Sequence, residues 1–253
     1  MNILITGSTS GIGLAAAKEF LIRGHNVIIN GGHNKKAMEI AKMALTADTI
    51  STQEDFDAGF GKGTITPIMA DVSDSAQVEA MFKELDHKGL LPDILVNNAG
   101  ISHIGLLQDM SDEEWNHILS TNLTSVFNCC RAAIPHMLGK GQGTILNVSS
   151  MWGSVGASCE VAYSATKGAV NTFTKALSKE LAPSHIQVNA VAFGVVNTRM
   201  NAFLDEEDMA DLIDDIPVGS MCSPEEAGLI VYKLTKLPMY VTGQIIGADG
   251  GYI

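Results

Sequence analysis

Short apolar runs alternate with stretches of helical period along the whole chain, and this alternation constrains the fold more than any other feature. Runs at residues 2–6, 27–30, 65–70, 94–97, 144–149, 186–191 and 244–248 have the length and flanks of buried strands. Residues 13–23, 75–85, 113–138, 162–181 and 224–237 read as helices. In the first of these, Leu14, Ala17, Phe20 and Leu21 share one face. Strands that are apolar throughout and separated by helices predict a parallel sheet covered on both faces. With right-handed crossovers this is an α/β fold, a three-layer doubly wound sheet. No repeat, low-complexity tract or Pro/Ser linker divides the chain, so residues 1–253 are expected to form one domain.

Two stretches break the pattern. Residues 46–63 are rich in Thr, Asp and Gly, and are long for a connection that usually takes about 2–6 residues. Residues 199–222 are acidic, carry Pro217 and Gly219, and are expected to form a lid over the substrate.

Charge and composition remove several function classes. The net charge is −12 with no basic stripe, which disfavours nucleic acid and anionic membranes as partners. No apolar run approaches the roughly 18 residues of a membrane span. The first residues lack the pattern of a secretory leader, so a cytoplasmic protein is expected. Cys129, Cys130, Cys159 and Cys222 form no C-x-x-C pair and read as reduced, buried thiols. The seven His are scattered, and no metal site is expected.

The first strand empties into Thr6-Gly7-Ser8-Thr9-Ser10-Gly11-Ile12-Gly13, and a helix follows at once. Glycines there allow a tight turn and a close approach to a pyrophosphate. The helix N-terminus adds free N–H groups and the positive end of its dipole. A nucleotide is the expected ligand.

Tyr163 and Lys167 lie four apart on a predicted helix and share a face. An ammonium beside a phenol favours the phenolate, so Lys167 is expected to lower the Tyr163 pKa. Such a Tyr serves as an acid/base for an alcohol or carbonyl. Ser150 stands at the end of the strand at 144–149, thirteen residues before Tyr163, where its hydroxyl can polarise a carbonyl. Doubly wound sheets bind ligands at such strand ends.

Taken in order, these motifs resemble the short-chain dehydrogenase/reductase family across nearly the whole chain. The glycine loop has its T-G-x-x-x-G-x-G spacing, and Asn97-Asn98-Ala99-Gly100 is similar to its N-N-A-G strand end. Asn122, Ser150, Tyr163 and Lys167 match its catalytic tetrad. The resemblance implies a seven-stranded sheet, a bound nicotinamide dinucleotide and a homotetramer joined by the helices at 113–138 and 162–181. It assigns Asn122 to a proton-relay water, Lys167 also to the nicotinamide ribose, and Asp71-Val72 to adenine. Asn98, Ala99 and Gly100 would border the cofactor, as would Gly194 and Val196, and Thr198 would bind the carboxamide. Two departures are Phe193-Gly194 in place of Pro-Gly, and Gly219-Ser220 in place of Gly-Arg.

The end of the second strand distinguishes the two nicotinamide cofactors, because an acid there bonds a ribose 2′-hydroxyl and repels a 2′-phosphate. Around Gly31 the sequence reads Asn30-Gly31-Gly32-His33-Asn34-Lys35-Lys36, with no acid. The family's arginine is absent at Gly32 and at Ser10. His33 and the two lysines supply positive charge, so NADP(H) is expected over NAD(H).

The ketone pocket is expected to include His103, Trp152, Cys159 and Phe193. Two branches of the family share further pattern. One reduces 3-oxoacyl thioesters on an acyl carrier protein. The other, similar at residues 100–103 and 149–161, reduces the 5-aminopentanone group of elongation factor P. The acids Asp205, Glu206, Glu207, Asp208, Asp211, Asp214 and Asp215 would suit its amine-bearing substrate. A non-catalytic nucleotide-binding regulator is the remaining alternative, and the intact tetrad weighs against it.

Overall fold

The structure is a computed structural model that describes residues 1–48, 63–201 and 206–253. Seven strands form one parallel sheet: β1 (Asn2–Ile5), β2 (Asn26–Gly31), β3 (Thr64–Met69), β4 (Ile94–Asn97), β5 (Gly143–Ser150), β6 (Ile186–Phe193) and β7 (Ile245–Ala248). Their spatial order is β3-β2-β1-β4-β5-β6-β7. Every residue of β4 and β6 is buried, as expected for central strands with both faces covered. β3 contains Pro67, which cannot donate to a ladder, and it accordingly lies at the sheet edge.

One face of the sheet carries α1 (Gly11–Leu21), α2 (Lys35–Asp48) and α9 (Pro224–Leu234); Phe20, Met38 and Val231 pack there with Ile5 and Val96. The other carries α3 (Ser75–His87), α5 (Ser125–Lys140) and α7 (Val161–Leu181), with Phe82, Val126 and Val170 packed on Leu95 and Ile145; the short α6 (Trp152–Val155) precedes α7. Helix starts follow from local chemistry. Asp74 accepts bonds from Ala76 N and Gln77 N at the head of α3, and Ser223 caps α9 with Pro224 in its first turn.

The expected helix over 113–138 is interrupted. α4 (Asp112–Leu119) and α5 are joined by a π-helical turn at Ser120–Thr124. The extra residue in the ladder is offset by tertiary hydrogen bonds to Asn122, described below. The irregular stretch expected from residue 46 instead begins as the last turn of α2, whose Met38, Ala41 and Leu45 are buried at helical spacing. The rest of it, residues 49–62, lies outside the described residues. The expected lid contains a helix, α8 (Glu206–Asp214), after a 3-10 turn at Arg199–Asn201; Asp205 lies outside the described residues. Cys129 and Cys130 are buried free thiols, whereas Cys159 and Cys222 are only half-buried. Among the described residues, no helix is long and apolar enough to cross a membrane.

Candidate active site

The strand order reverses between β1 and β4, and the carboxyl ends of the strands open there into a cleft of about 1010 Å³. The glycine loop forms one wall. Gly7 and Gly11 have φ of 62° and 55°, a region that costs a side-chain-bearing residue energy. Gly7, Ser10, Gly11 and Ile12 line the cleft. Ser10 is the N-cap of α1 yet makes no side-chain capping bond, and the first turn holds no acid. The helix therefore presents uncapped amides to the cleft, which fits the pyrophosphate of a dinucleotide.

Three loop residues do not reach the cleft lining. Ser8 is buried; its hydroxyl donates to Ile5 O at 2.7 Å and accepts from Asn30 N at 2.9 Å. Thr9 packs against Gly31, where an added Cβ would come within 2.8 Å of its methyl. Gly13 faces Asn98, and a Cβ there would lie 2.5 Å from Asn98 Nδ2 and 2.8 Å from Gly7 O. These residues shape the loop from behind. Asn98 Nδ2 donates to Thr6 O and Gly7 O at 3.0 and 3.1 Å, while the amides of Asn98 and Ala99 both donate to Thr6 Oγ1. Gly13→Ala must push this junction apart. It is expected to cost about 1–3 kcal/mol of stability and to weaken dinucleotide binding at the same time. Thermal melting and a cofactor titration check this, and an unchanged affinity would refute it.

At the far end, His33 Nε2 lies 3.1 Å from Asp71 Oδ2, and both residues line the cleft with Val72. Asp71 also accepts from Ser73 N and Oγ. An added Cβ at Gly32 would meet nothing within 4 Å, so the edge beyond Asn30 is open. Ala99, Gly100, Gly194, Val196 and Thr198 continue the lining toward the catalytic end.

Asn122 is buried away from the cleft lining. Its Oδ1 accepts from Ile101 N at 2.8 Å, and its Nδ2 donates to Ile101 O at 2.9 Å and to Thr166 Oγ1 at 3.2 Å. The π turn thus ties the segment after β4 to α7. Ser150, Tyr163 and Lys167 line the cleft together. The Ser150 hydroxyl accepts from Trp152 N at 3.2 Å and stands beside the Tyr163 phenol, whose pKa it lowers. Lys167 is 4% exposed; its Nζ sits 5.6 Å from the centre of the Tyr163 ring and donates to Val148 O at 2.9 Å.

The expected pKa shift of Tyr163 is reversed here. Burial pushes the phenol up to about 12, against a lowering by the Ser150 hydroxyl, and the Glu160 charge adds to the rise. Burial also brings Lys167 down to about 8. Desolvation sets the direction, and the Lys167 amine is committed to the carbonyl of Val148. In the unliganded protein the phenol is therefore held protonated at neutral pH.

Of the expected substrate residues, Trp152 and Phe193 line the cleft, and Trp152 packs edge-on against Tyr252 at 5.8 Å. His103 and Cys159 do not line it. The His103 imidazole turns back toward Glu114 in α4, with Nδ1 4.0 Å from Oε1. Cys159 has a left-handed backbone, φ 61°, and its carbonyl accepts from Gly105 N at 2.8 Å. Sequence reasoning missed Ile101, His117, Glu160, Arg199 and Leu212 as lining residues. Of these, Glu160 carried a signal, lying three residues before Tyr163 at the head of the same helix.

The family model described as short chain dehydrogenase matches residues 1–209. The 3-oxoacyl-[acyl-carrier-protein] reductase FabG of Chlamydia pneumoniae is 34% identical over 251 residues, covering 99% of this chain and 96% of that protein. The enzyme of the same name from Thermotoga maritima is 37% identical over 251 residues, with the same coverage. A 3-oxoacyl-[acyl-carrier protein] reductase from Brucella melitensis, solved with bound NAD, superposes with a TM-score of 0.85 at 33% identity. That superposition covers 100% of this chain and 91% of that one.

Proposed function

The chain belongs to the short-chain dehydrogenase family, and from that premise we propose that it reduces a 3-oxoacyl thioester on a carrier protein, with NADPH as the preferred reductant. The observation that carries this reading is the gathering of Ser150, Tyr163 and the buried Lys167 along one side of a dinucleotide-sized cleft. The nicotinamide, when bound, supplies the hydride that the carbonyl carbon accepts. The residues of the chain do the rest. Ser150 Oγ donates to the carbonyl oxygen and polarises it. Tyr163, kept neutral by its surroundings, hands its proton to that oxygen as negative charge develops there. Lys167 fixes the floor of the site through Val148 O and stands near enough to the ring to steady the phenolate left behind.

The preference for NADPH is supported by the absence of an acid at Gly31 or Gly32 and by the exposed imidazole of His33 at the open edge. The Brucella relative with bound NAD makes a direct comparison of the two cofactors the natural test. A cytoplasmic homotetramer completes the reading. The apolar side chains of Phe127 and Leu138 on α5 are 44% and 47% exposed and offer surface for a subunit contact.

The experiment is consumption of NADPH, and separately of NADH, with an acetoacetyl thioester. Faster turnover with NADPH is the expected result. Oxidation of neither, with both cofactors shown to bind, would overturn the thioester assignment.

A further inference from the structure

Among the described residues, two carboxylates line the cleft. Asp71, at the β3 end, is held by Ser73 and His33. Glu160, at the catalytic end, has no part in the reaction so far described. It is the N-cap residue of α7, but its side chain makes no capping bond, although an acid at that position ordinarily takes the free amides. Glu160 instead lines the cleft together with Trp152.

The charge of Glu160 is uncompensated. Among the described residues it forms no ion pair. Among the described residues, four groups that are or can become cations line the same cleft. Lys167 is committed to Val148 O, and His33 faces Asp71. Arg199 follows Thr198, whose methyl lies beside Gly11 at the glycine loop. His117 sits on α4, and its imidazole is in no ion pair among the described residues. Burial raises the Glu160 carboxyl, and Trp152 opposes that rise. A half-desolvated anion without a partner is most relieved by an arriving cation. The helix that brings Leu212 to the cleft adds Asp211 and Asp214 to the same side of the charge balance.

We propose that Glu160 selects substrates by charge, holding ketones that carry a positive group within a few bonds of the carbonyl and turning away those that carry a carboxylate. This rests on the reading of the cleft as a ketone-reducing site. A neutral 3-oxoacyl thioester falls between the two extremes.

The test uses three methyl ketones of equal chain length, ending in a trimethylammonium, its isosteric tert-butyl group, or a carboxylate. An acetoacetyl thioester is run beside them. In the wild type, kcat/KM should fall in the order cation, neutral, anion, with about tenfold between the cation and its neutral isostere. In Glu160→Gln that ratio should drop to about one, and in Glu160→Asp it should persist, with the change carried mainly by KM. The wild-type ranking is informative without any variant. Absence of a ranking, or its survival in Glu160→Gln, would overturn the proposal, as would turnover of the thioester with none of the three ketones. If the thioester too is untouched, the ketone-reductase reading itself fails, and the charge assignment falls with it.

Discussion

Tyr163→Phe is expected to lower ketone turnover by about a thousandfold while leaving the affinity for NADPH nearly unchanged. The substitution keeps the ring and removes the proton. A positioned general acid contributes roughly 10²–10⁴-fold. With its pKa pushed up to about 12, the Tyr163 phenol of the unliganded protein is fully protonated at neutral pH, so the variant forgoes a donor that the wild type always has loaded. The substitution leaves the ring in the cleft lining and the glycine loop untouched, so binding of the dinucleotide should survive. Steady-state kcat and a fluorescence titration of NADPH check the two halves. A kcat close to wild type would move the donor role to Ser150, the hydroxyl beside the Tyr163 phenol.

Lys167→Met is expected to abolish most activity, by about a hundredfold or more, and to change the way stability depends on pH. The amine is buried, and its pKa falls from 10.5 to about 8. Below pH 8 the folded and unfolded chains both hold this proton, and the cost of burying the charge is fully present. Between pH 8 and 10.5 the folded chain releases the proton while the unfolded chain keeps it, so stability rises with pH across that window. The wild type should therefore gain about 3 kcal/mol relative to Lys167→Met between pH 7.5 and 10.5. Urea unfolding of the unliganded proteins at both pH values measures the difference directly. A difference that stays constant with pH would mean that Lys167 keeps an ordinary pKa in the folded state. At neutral pH the variant loses the bond to Val148 O but also the burial penalty, so the two proteins should be of similar stability there.

Much of the site was legible before the fold was known. The glycine loop could be placed because a strand end and a helix start flank it within a few residues. Tyr163 and Lys167 could be paired because a helix brings residues four apart onto one face. Other features were not legible. The π turn at Asn122 exists because its amide bonds both the N–H and the C=O of Ile101, 21 residues away. No periodicity within the helix announces such a partner. His103 and Cys159 follow or precede catalytic motifs closely, yet their orientation depends on Glu114 and Gly105, which pull them from the cleft.

The chain's own order of residues determined the layered sheet, the glycine loop at the switch point and the candidate catalytic side chains. All of these depend on local period, or on spacing within one strand or one helix. The tertiary structure alone decided which candidates line the cleft, that Glu160 joins them there, and that Tyr163 and Lys167 shift against the simple charge rule. Those outcomes are sums of desolvation and contact over segments distant in sequence, and burial of this kind is fixed only when the layers close on one another.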